Sequence, residues 1–235
     1  MDNLNTKALE ESLENLRQNS DSPRQLQILI QLGQVYQSKR QYQKALIYFK
    51  QALNLVKNQP NPNDKIVARV NMGCVYWEMS QLKKAMNFFQ DAIPIAEGLG
   101  DNVGKMMLCA IMGVSYWRKG EWPMAIDWFE KASRGGLVDK IKTAQSIDPF
   151  KYEALKVVME RGIETLKNRI QIAQNQSDPA RILLPSFSMI PLLFFTGQKK
   201  EIPSLLKTII PLAQKLKNNN ILDVIPVLKK VMEIG

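Results

Sequence analysis

The sequence predicts an all-α fold in which antiparallel helix pairs stack into a solenoid. Residues 32–36, LGQVY, return as MGCVY at 72–76 and as MGVSY at 112–116, which is a period of 40 residues. Each copy is followed at fixed offsets by alanine, phenylalanine and alanine: Ala45, Phe49 and Ala52, then Ala85, Phe89 and Ala92, then Ala125, Phe129 and Ala132. One such unit cannot bury its apolar face alone, so the copies are expected to stack on one another.

The first element is an amphipathic helix within residues 1–21. Apolar residues recur in it at helical spacing, at Leu4, Ala8, Leu9, Leu13 and Leu16. The terminal repeat of a stacked array needs a cover with a polar outer face. We therefore expect residues 1–21 to form an N-terminal capping helix.

Three repeats follow, at about 22–60, 61–100 and 101–135. Asp21, Asn61 and Asp101 lie 40 residues apart, and all three are residue types that favour the start of a helix. A short turn separates the two helices of each repeat, at residues 38–41, 78–81 and 118–121. Connections this short make the paired helices antiparallel. In this packing we expect Gly33, Gly73 and Gly113 to face Ala45, Ala85 and Ala125, so that the two backbones approach closely.

Residues 136–235 are predicted to be a degenerate helical region. Asp148-Pro149 and Asp178-Pro179 each place an N-cap residue before a proline at the first helical position. A helix pair is expected at about 180–196 and 201–217, with a last helix at 221–233. The region is related to the repeats, but the repeat residues are no longer regular in it.

The pattern Leu-Gly-x-x-Tyr followed by Ala, Phe and Ala resembles the tetratricopeptide repeat over residues 22–135. The usual period of that family is about 34 residues; the period of 40 is similar to the longer-period arrays of kinesin light chains. The resemblance implies a right-handed α-solenoid whose first helices line a concave side. It also implies that this surface binds another protein, so we expect a non-catalytic scaffold or adaptor.

The helical period then identifies one stripe on each first helix, which we call the first-helix stripe of that repeat. The three stripes comprise Gln27, Ile30, Gln34 and Gln37; Val67, Val70, Cys74 and Trp77; and Met107, Ala110, Val114 and Trp117, with Arg118 nearby. The first helices of the second and third repeats are apolar on two faces, and a helix that is apolar nearly all round needs cover. We expect an apolar helix or extended peptide of a partner to bind there, anchored on Trp77 and Trp117.

One alternative is that the protein's own C-terminal helices fill this groove. Residues 183–194 contain an apolar stripe that needs a partner: Leu183, Leu184, Phe187, Ile190, Leu193 and Phe194. The sequence leaves both possibilities open.

Catalysis, metal binding and cofactors are not expected. The chain has no histidine, and it has no Gly-rich phosphate loop, nucleophile motif or cluster of metal ligands. We therefore expect no small-molecule substrate. The net charge is +10, but the basic residues are dispersed and the first-helix stripes lack them apart from Arg118. Nucleic-acid binding is therefore disfavoured, because it needs basic residues aligned along one surface.

A second alternative is peripheral assembly on a membrane, through the apolar and lysine-bearing segments 202–216 and 221–234. The apolar stretch 182–195 is shorter than the ~20 residues that span a bilayer. The N-terminus has no basic region leading into an apolar stretch, so no secretory signal is expected. These features predict a cytoplasmic protein.

Overall fold

Helices are the only regular elements in the part of the chain that the computed structural model describes, residues 2–18, 22–57, 60–133 and 149–234. The expected all-α class of paired helices is confirmed. Asp21, Asp148 and the last two residues of the third predicted repeat lie outside the described residues. The helices belong to two compact units, which are described separately.

The first unit contains five helices and the first turns of a later one. Its helices are α1 Asp2–Gln18, α2 Ser22–Ser38, α3 Tyr42–Val56, α4 Pro62–Glu78 and α5 Leu82–Gly98, and residues 149–154 belong to the same unit. Helix α2 pairs with α3 and α4 with α5, while α3 packs against α4 and α1 packs on α2. Helices α1 to α5 of this unit therefore pack in chain order.

Local backbone chemistry explains where these helices start and stop. The side chain of Asn61 accepts a hydrogen bond from the backbone N–H of Asn63 at 3.0 Å, and Pro62 occupies the first helical position. Helix α2 ends in a Schellman motif, because Arg40 has a φ of 57° and Gln41 N–H donates to the Tyr36 carbonyl at 2.9 Å. The ends of α4 and of the corresponding third-repeat helix repeat this bond.

The close approach within each pair is made mainly by glycine and phenylalanine. A Cβ atom added at Gly33 would overlap the ring of Phe49, and Gly73 has the same relation to Phe89. All three repeat phenylalanines are fully buried. The expected Gly33–Ala45 and Gly73–Ala85 contacts are thus not the nearest ones, because the phenylalanine ring occupies the space above the glycine. In the third repeat a Cβ atom at Gly113 would meet both the Phe129 ring and, at 3.2 Å, the backbone carbonyl oxygen of Ala125, as expected.

The second unit contains the third helix pair together with the C-terminal helices. Its elements are α6 Asn102–Arg118, α7 Trp122–Ser133, residues 155–175 of α8 (Pro149–Asn175), α9 Pro179–Phe195, a 3₁₀ turn Lys199–Glu201, α10 Ile202–Lys215 and α11 Asn219–Val231. Helices α9, α10 and α11 pack in sequence, and α9 also contacts α6 while α11 contacts α7. Helix α9 starts where predicted, since the Asp178 side chain accepts from Ala180 N–H at 3.1 Å.

Candidate functional site

The polar stripe of the first repeat is tied to the second repeat instead of lying open. Gln34 Nε2 donates to Asn71 Oδ1 at 3.3 Å, and Gln37 Nε2 donates to Glu78 Oε2 at 2.6 Å. Ile30, between these polar residues, is fully buried. The glutamines therefore hold α2 against α4, and the expectation that this part of the stripe is a free surface is wrong.

The apolar stripe of the second repeat is also covered. Val67, Val70 and Cys74 are buried, and only 3% of the Trp77 surface is exposed. Buried residues occur on all sides of α4. This is the behaviour of a helix that is apolar nearly all round, so the expectation of an open face at Trp77 is wrong.

The Trp117 end of the third-repeat stripe lies beneath the chain's own helix α9. Ala110 and Val114 are buried, and Trp117 is 2% exposed. The centre of the Trp117 ring lies 4.6 Å from the ring of Phe187, which belongs to α9. Here the alternative of self-coverage by a C-terminal helix describes the structure, and the expectation of an exposed Trp117 is wrong.

A buried hydrogen bond fixes α9 on this stripe. Trp117 Nε1–H donates to the backbone carbonyl of Phe187 at 3.3 Å. In an uninterrupted helix that carbonyl would accept from the N–H of residue 191, but Pro191 has no N–H. The proline therefore leaves a carbonyl for the indole, and the indole provides the donor that the buried carbonyl needs. The sequence signal was a proline inside an apolar helix four residues after Phe187.

Further aromatic contacts attach α9 to both helices of the third repeat. The ring of Trp122 on α7 lies edge-on to Phe187 at 5.2 Å, and the ring of Phe129 lies 5.4 Å from Phe195. Such pairs stabilise beyond the area they bury. Helix α9 thus contributes side chains to the interior of the third helix pair.

Comparison with protein families identifies the repeats. A tetratricopeptide repeat model matches residues 7–58 and 24–98, and a second tetratricopeptide repeat model matches residues 108–137. Together these segments make up more than half of the chain. The chain belongs to the tetratricopeptide repeat (TPR) family. TPR repeats generally mediate protein–protein interaction, and scaffolds of this kind are typically not enzymes.

Two solved structures are similar to the chain at low sequence identity. BtubC (BKLC) from P. vanneervenii is 14% identical with a TM-score of 0.50, covering 90% of this chain and 91% of that chain. The nearly identical TPR-like repeats of a Podosopora anserina kinesin light chain are 16% identical with a TM-score of 0.45, covering 83% of this chain and 97% of that one. No curated protein matches the chain in sequence. The likeness to BtubC concerns the fold alone.

The stripe residues that keep contact with solvent are few. Gln27 and Arg118 are exposed, while Gln34 and Met107 are half-buried. Partial desolvation by its neighbours, and then the positive charge of Arg169, lower the pKa of Arg118 to about 10. Arg118 therefore stays protonated at neutral pH.

A tyrosine pair that sequence reasoning missed attaches α1 to the first TPR repeat. Glu10 Oε1 accepts hydrogen bonds from Tyr36 Oη at 2.9 Å and from Tyr48 Oη at 2.8 Å, and the two rings stack with centres 5.4 Å apart. Burial, and then the carboxylate of Glu10, raise the pKa of both tyrosines. The signal in the sequence was the tyrosine at the end of the repeat motif together with Tyr48.

None of the helices in the described ranges combines the length and the apolar content that a membrane span requires. Within the same ranges, no group of three or more histidine, cysteine, aspartate or glutamate side chains could hold a metal ion.

Proposed function

We propose that this TPR chain is a non-catalytic adaptor that binds an apolar helix of another protein at the Trp117 end of the α6 stripe, which α9 covers here. The proposal rests on the packing of Phe187 of α9 against the Trp117 ring of α6. A helix docked by its apolar residues in an apolar groove is a recurring mode of peptide recognition. Helix α9 is the intramolecular version of such a ligand, and the partner helix would take its place.

The exchange sets a requirement on the partner. A tethered helix competes with an effective concentration on the order of millimolar. A partner helix at lower concentration must therefore bind the α6 stripe more tightly than α9 does. It needs a large apolar side chain in the place of Phe187, which is 1% exposed, and a backbone acceptor for Trp117 Nε1.

The packing of the last two helices favours a protein partner over a membrane surface. Their apolar residues are used inside the second unit, where Ile202, Leu206 and Ile209 of α10 and Ile221, Ile225 and Leu228 of α11 are buried. An amphipathic helix that lies on a membrane needs this face to be available to lipid. Buried thiols at Cys74 and Cys109 are in keeping with a reducing compartment, so the proposal includes a cytoplasmic location for the adaptor.

The test is binding of α9 in trans. A fluorescein-labelled peptide of residues 179–196, with lysines added for solubility, is titrated into wild type and into Phe187→Ala, and anisotropy is measured. The variant should bind the peptide at least tenfold more tightly than wild type, because its own α9 no longer fills the space beside Trp117.

Two further variants keep the test interpretable. Val227→Ala changes an exposed residue of α11 and should bind the peptide as weakly as wild type. Trp117→Phe, which removes the indole donor and part of the ring packing, serves as a milder opening variant if Phe187→Ala loses its helical circular dichroism. Folded opening variants that bind no more peptide than Val227→Ala would contradict the proposal.

A further inference from the structure

A second surface lies where α8 and α9 meet, and neither the stripes nor the α9 docking uses it. A cavity of about 460 Å³ opens there between the end of α8 and the start of α9. Two large apolar side chains line it while remaining mostly in solvent: Ile172 of α8 is 57% exposed and Leu184 of α9 is 53% exposed. We call this cavity the α8–α9 pocket.

Small side chains create the pocket. Ala173 and Ala180 line it at positions where larger residues would fill the space between the two helices. The turn that joins the helices is well defined: Ser177 has a φ of 52°, and Asp178 caps α9 with bonds to the N–H groups of Ala180 and Arg181. The shape of the pocket therefore follows from a short, capped turn between two helices.

The rim of the pocket carries two arginines, of which Arg181 is paired with Asp178. Arg169 lies on the α8 side and Arg181 on the α9 side, and none of the described residues that line the cavity is acidic. Arg181 is oriented by Asp178, at 3.2 Å from Nε to Oδ2, and by a 3.2 Å bond to Gln176 Oε1. A guanidinium group has five N–H donors, so Arg181 keeps donors for a further acceptor. The positive charges of Arg169 and Arg118 are close enough to disfavour each other.

We propose that the α8–α9 pocket docks a short amphipathic segment of a partner protein, with an apolar residue between Ile172 and Leu184 and carboxylates on Arg169 and Arg181. Charge complementarity decides the occupant. Two arginines around an apolar floor match glutamate or aspartate beside leucine, and guanidinium binds carboxylate with directional, charge-assisted bonds. Asp178 already lies beside Arg181, so a basic or purely apolar segment would leave Arg169 as the rim charge that it does not match.

The docking site bears on the proposed adaptor function without depending on it. Leu184 precedes Phe187 by three residues on α9, so a segment in the pocket contacts the same helix that covers Trp117. A partner that binds there is held beside the helix it would replace. The α6 stripe and the pocket can nevertheless be tested separately, because Leu184 is exposed and Phe187 is buried.

The experiment uses the full chain and a labelled amphipathic peptide with leucines along one helical face and glutamates beside them. Anisotropy should report binding with a Kd on the order of ten to a hundred micromolar. Leu184→Asp should weaken binding at least tenfold, and Arg169→Glu at least fivefold with a shallower salt dependence. Val227→Asp, at a comparably exposed position on α11, should leave binding unchanged.

Two control peptides test whether both the apolar face and the acidic residues of the peptide are needed for binding. A peptide of the same composition without an apolar face, and one with lysine in place of glutamate, should each bind at least tenfold more weakly. Equal binding of either control peptide, or equal losses from Leu184→Asp and Val227→Asp, would overturn the docking site. Self-association of wild type that Leu184→Asp abolishes would overturn it too, because the occupant would then be a second copy of the chain.

The two proposals fail in different ways. Leu184→Asp introduced into the Phe187→Ala chain should not change the binding of the 179–196 peptide. If a folded Phe187→Ala chain does not bind the 179–196 peptide but does bind the acidic amphipathic peptide, the proposed replacement of α9 on α6 is contradicted. The proposed docking site at the α8–α9 pocket is then still supported.

Discussion

The bond between Trp117 and the Phe187 carbonyl makes a prediction about two substitutions that depend on each other. Trp117→Phe keeps an aromatic ring and removes the N–H donor, which leaves the buried Phe187 carbonyl without its partner. Leaving such a group unsatisfied costs about 1–3 kcal/mol of unfolding free energy. The smaller ring also loses packing, and the single variant cannot separate the two contributions.

The Pro191→Ala background separates the hydrogen-bond contribution of Trp117 from its packing contribution. Alanine restores the backbone N–H at residue 191, and this N–H can then bond the Phe187 carbonyl within α9. In that background Trp117→Phe should lose only its packing contribution. We therefore predict that Trp117→Phe costs about 1–2 kcal/mol less in the Pro191→Ala background than in wild type, inside the range of couplings measured for contacting residues.

The assay is urea unfolding of wild type, both single variants and the double variant. Unfolding is followed through the fluorescence of Trp77, Trp122 and Trp128, which all four proteins retain. Pro191→Ala alone also changes the intrinsic helix preference of α9, but this effect cancels in the cycle. An equal cost of Trp117→Phe in both backgrounds would refute the reasoning.

Two further predictions concern the first unit. Gly73→Ala should lower the unfolding free energy by about 1–3 kcal/mol, because its methyl group would overlap the buried Phe89 ring, whereas Gly98→Ala, with no atom within 4 Å of the added Cβ, should raise it by up to about 1 kcal/mol. Loss of stability in both variants on urea unfolding would contradict the packing argument. Tyr36 and Tyr48 have raised pKa values, so their contribution to stability should be complete below the ordinary tyrosine pKa of 10.0 and fall as the pH rises above it. Glu10→Gln should make both tyrosines ionise at lower pH in an ultraviolet absorbance titration, and an unchanged titration would remove Glu10 as a cause.

Helices α2 to α7 could be predicted from the sequence because their information is local and repeated. Tyr36, Tyr76 and Tyr116 mark the same place in three helices, and a period of 40 residues survives every substitution between the copies. The contacts of Gly33 and Gly73 were predicted with the wrong nearest partner. Residue size suggested alanine, but the direction of the Phe49 side chain decides which group lies over Gly33, and spacing alone does not give that direction.

The candidate site could be predicted only in part, since its cover comes from far along the chain. Periodicity identified Trp117 as the end of an apolar stripe that needs a partner. It could not say whether that partner is another protein or Phe187, which lies 70 residues away. Pro191 was visible as an interruption of a helix. Its consequence, a carbonyl free to accept from an indole, depends on which tryptophan lies opposite.

The central claim is that α9 occupies a surface to which a partner helix can bind instead. Amide hydrogen exchange of the protein, measured in the presence of an apolar helical peptide, tests this claim most directly. Wild type is compared with and without saturating 179–196 peptide carrying a mass label. We predict that α9, residues 179–195, loses protection while α6 keeps it, because the peptide replaces α9 over Trp117. Undiminished protection of α9 with peptide bound elsewhere would contradict the claim and leave α9 as a permanent part of the fold.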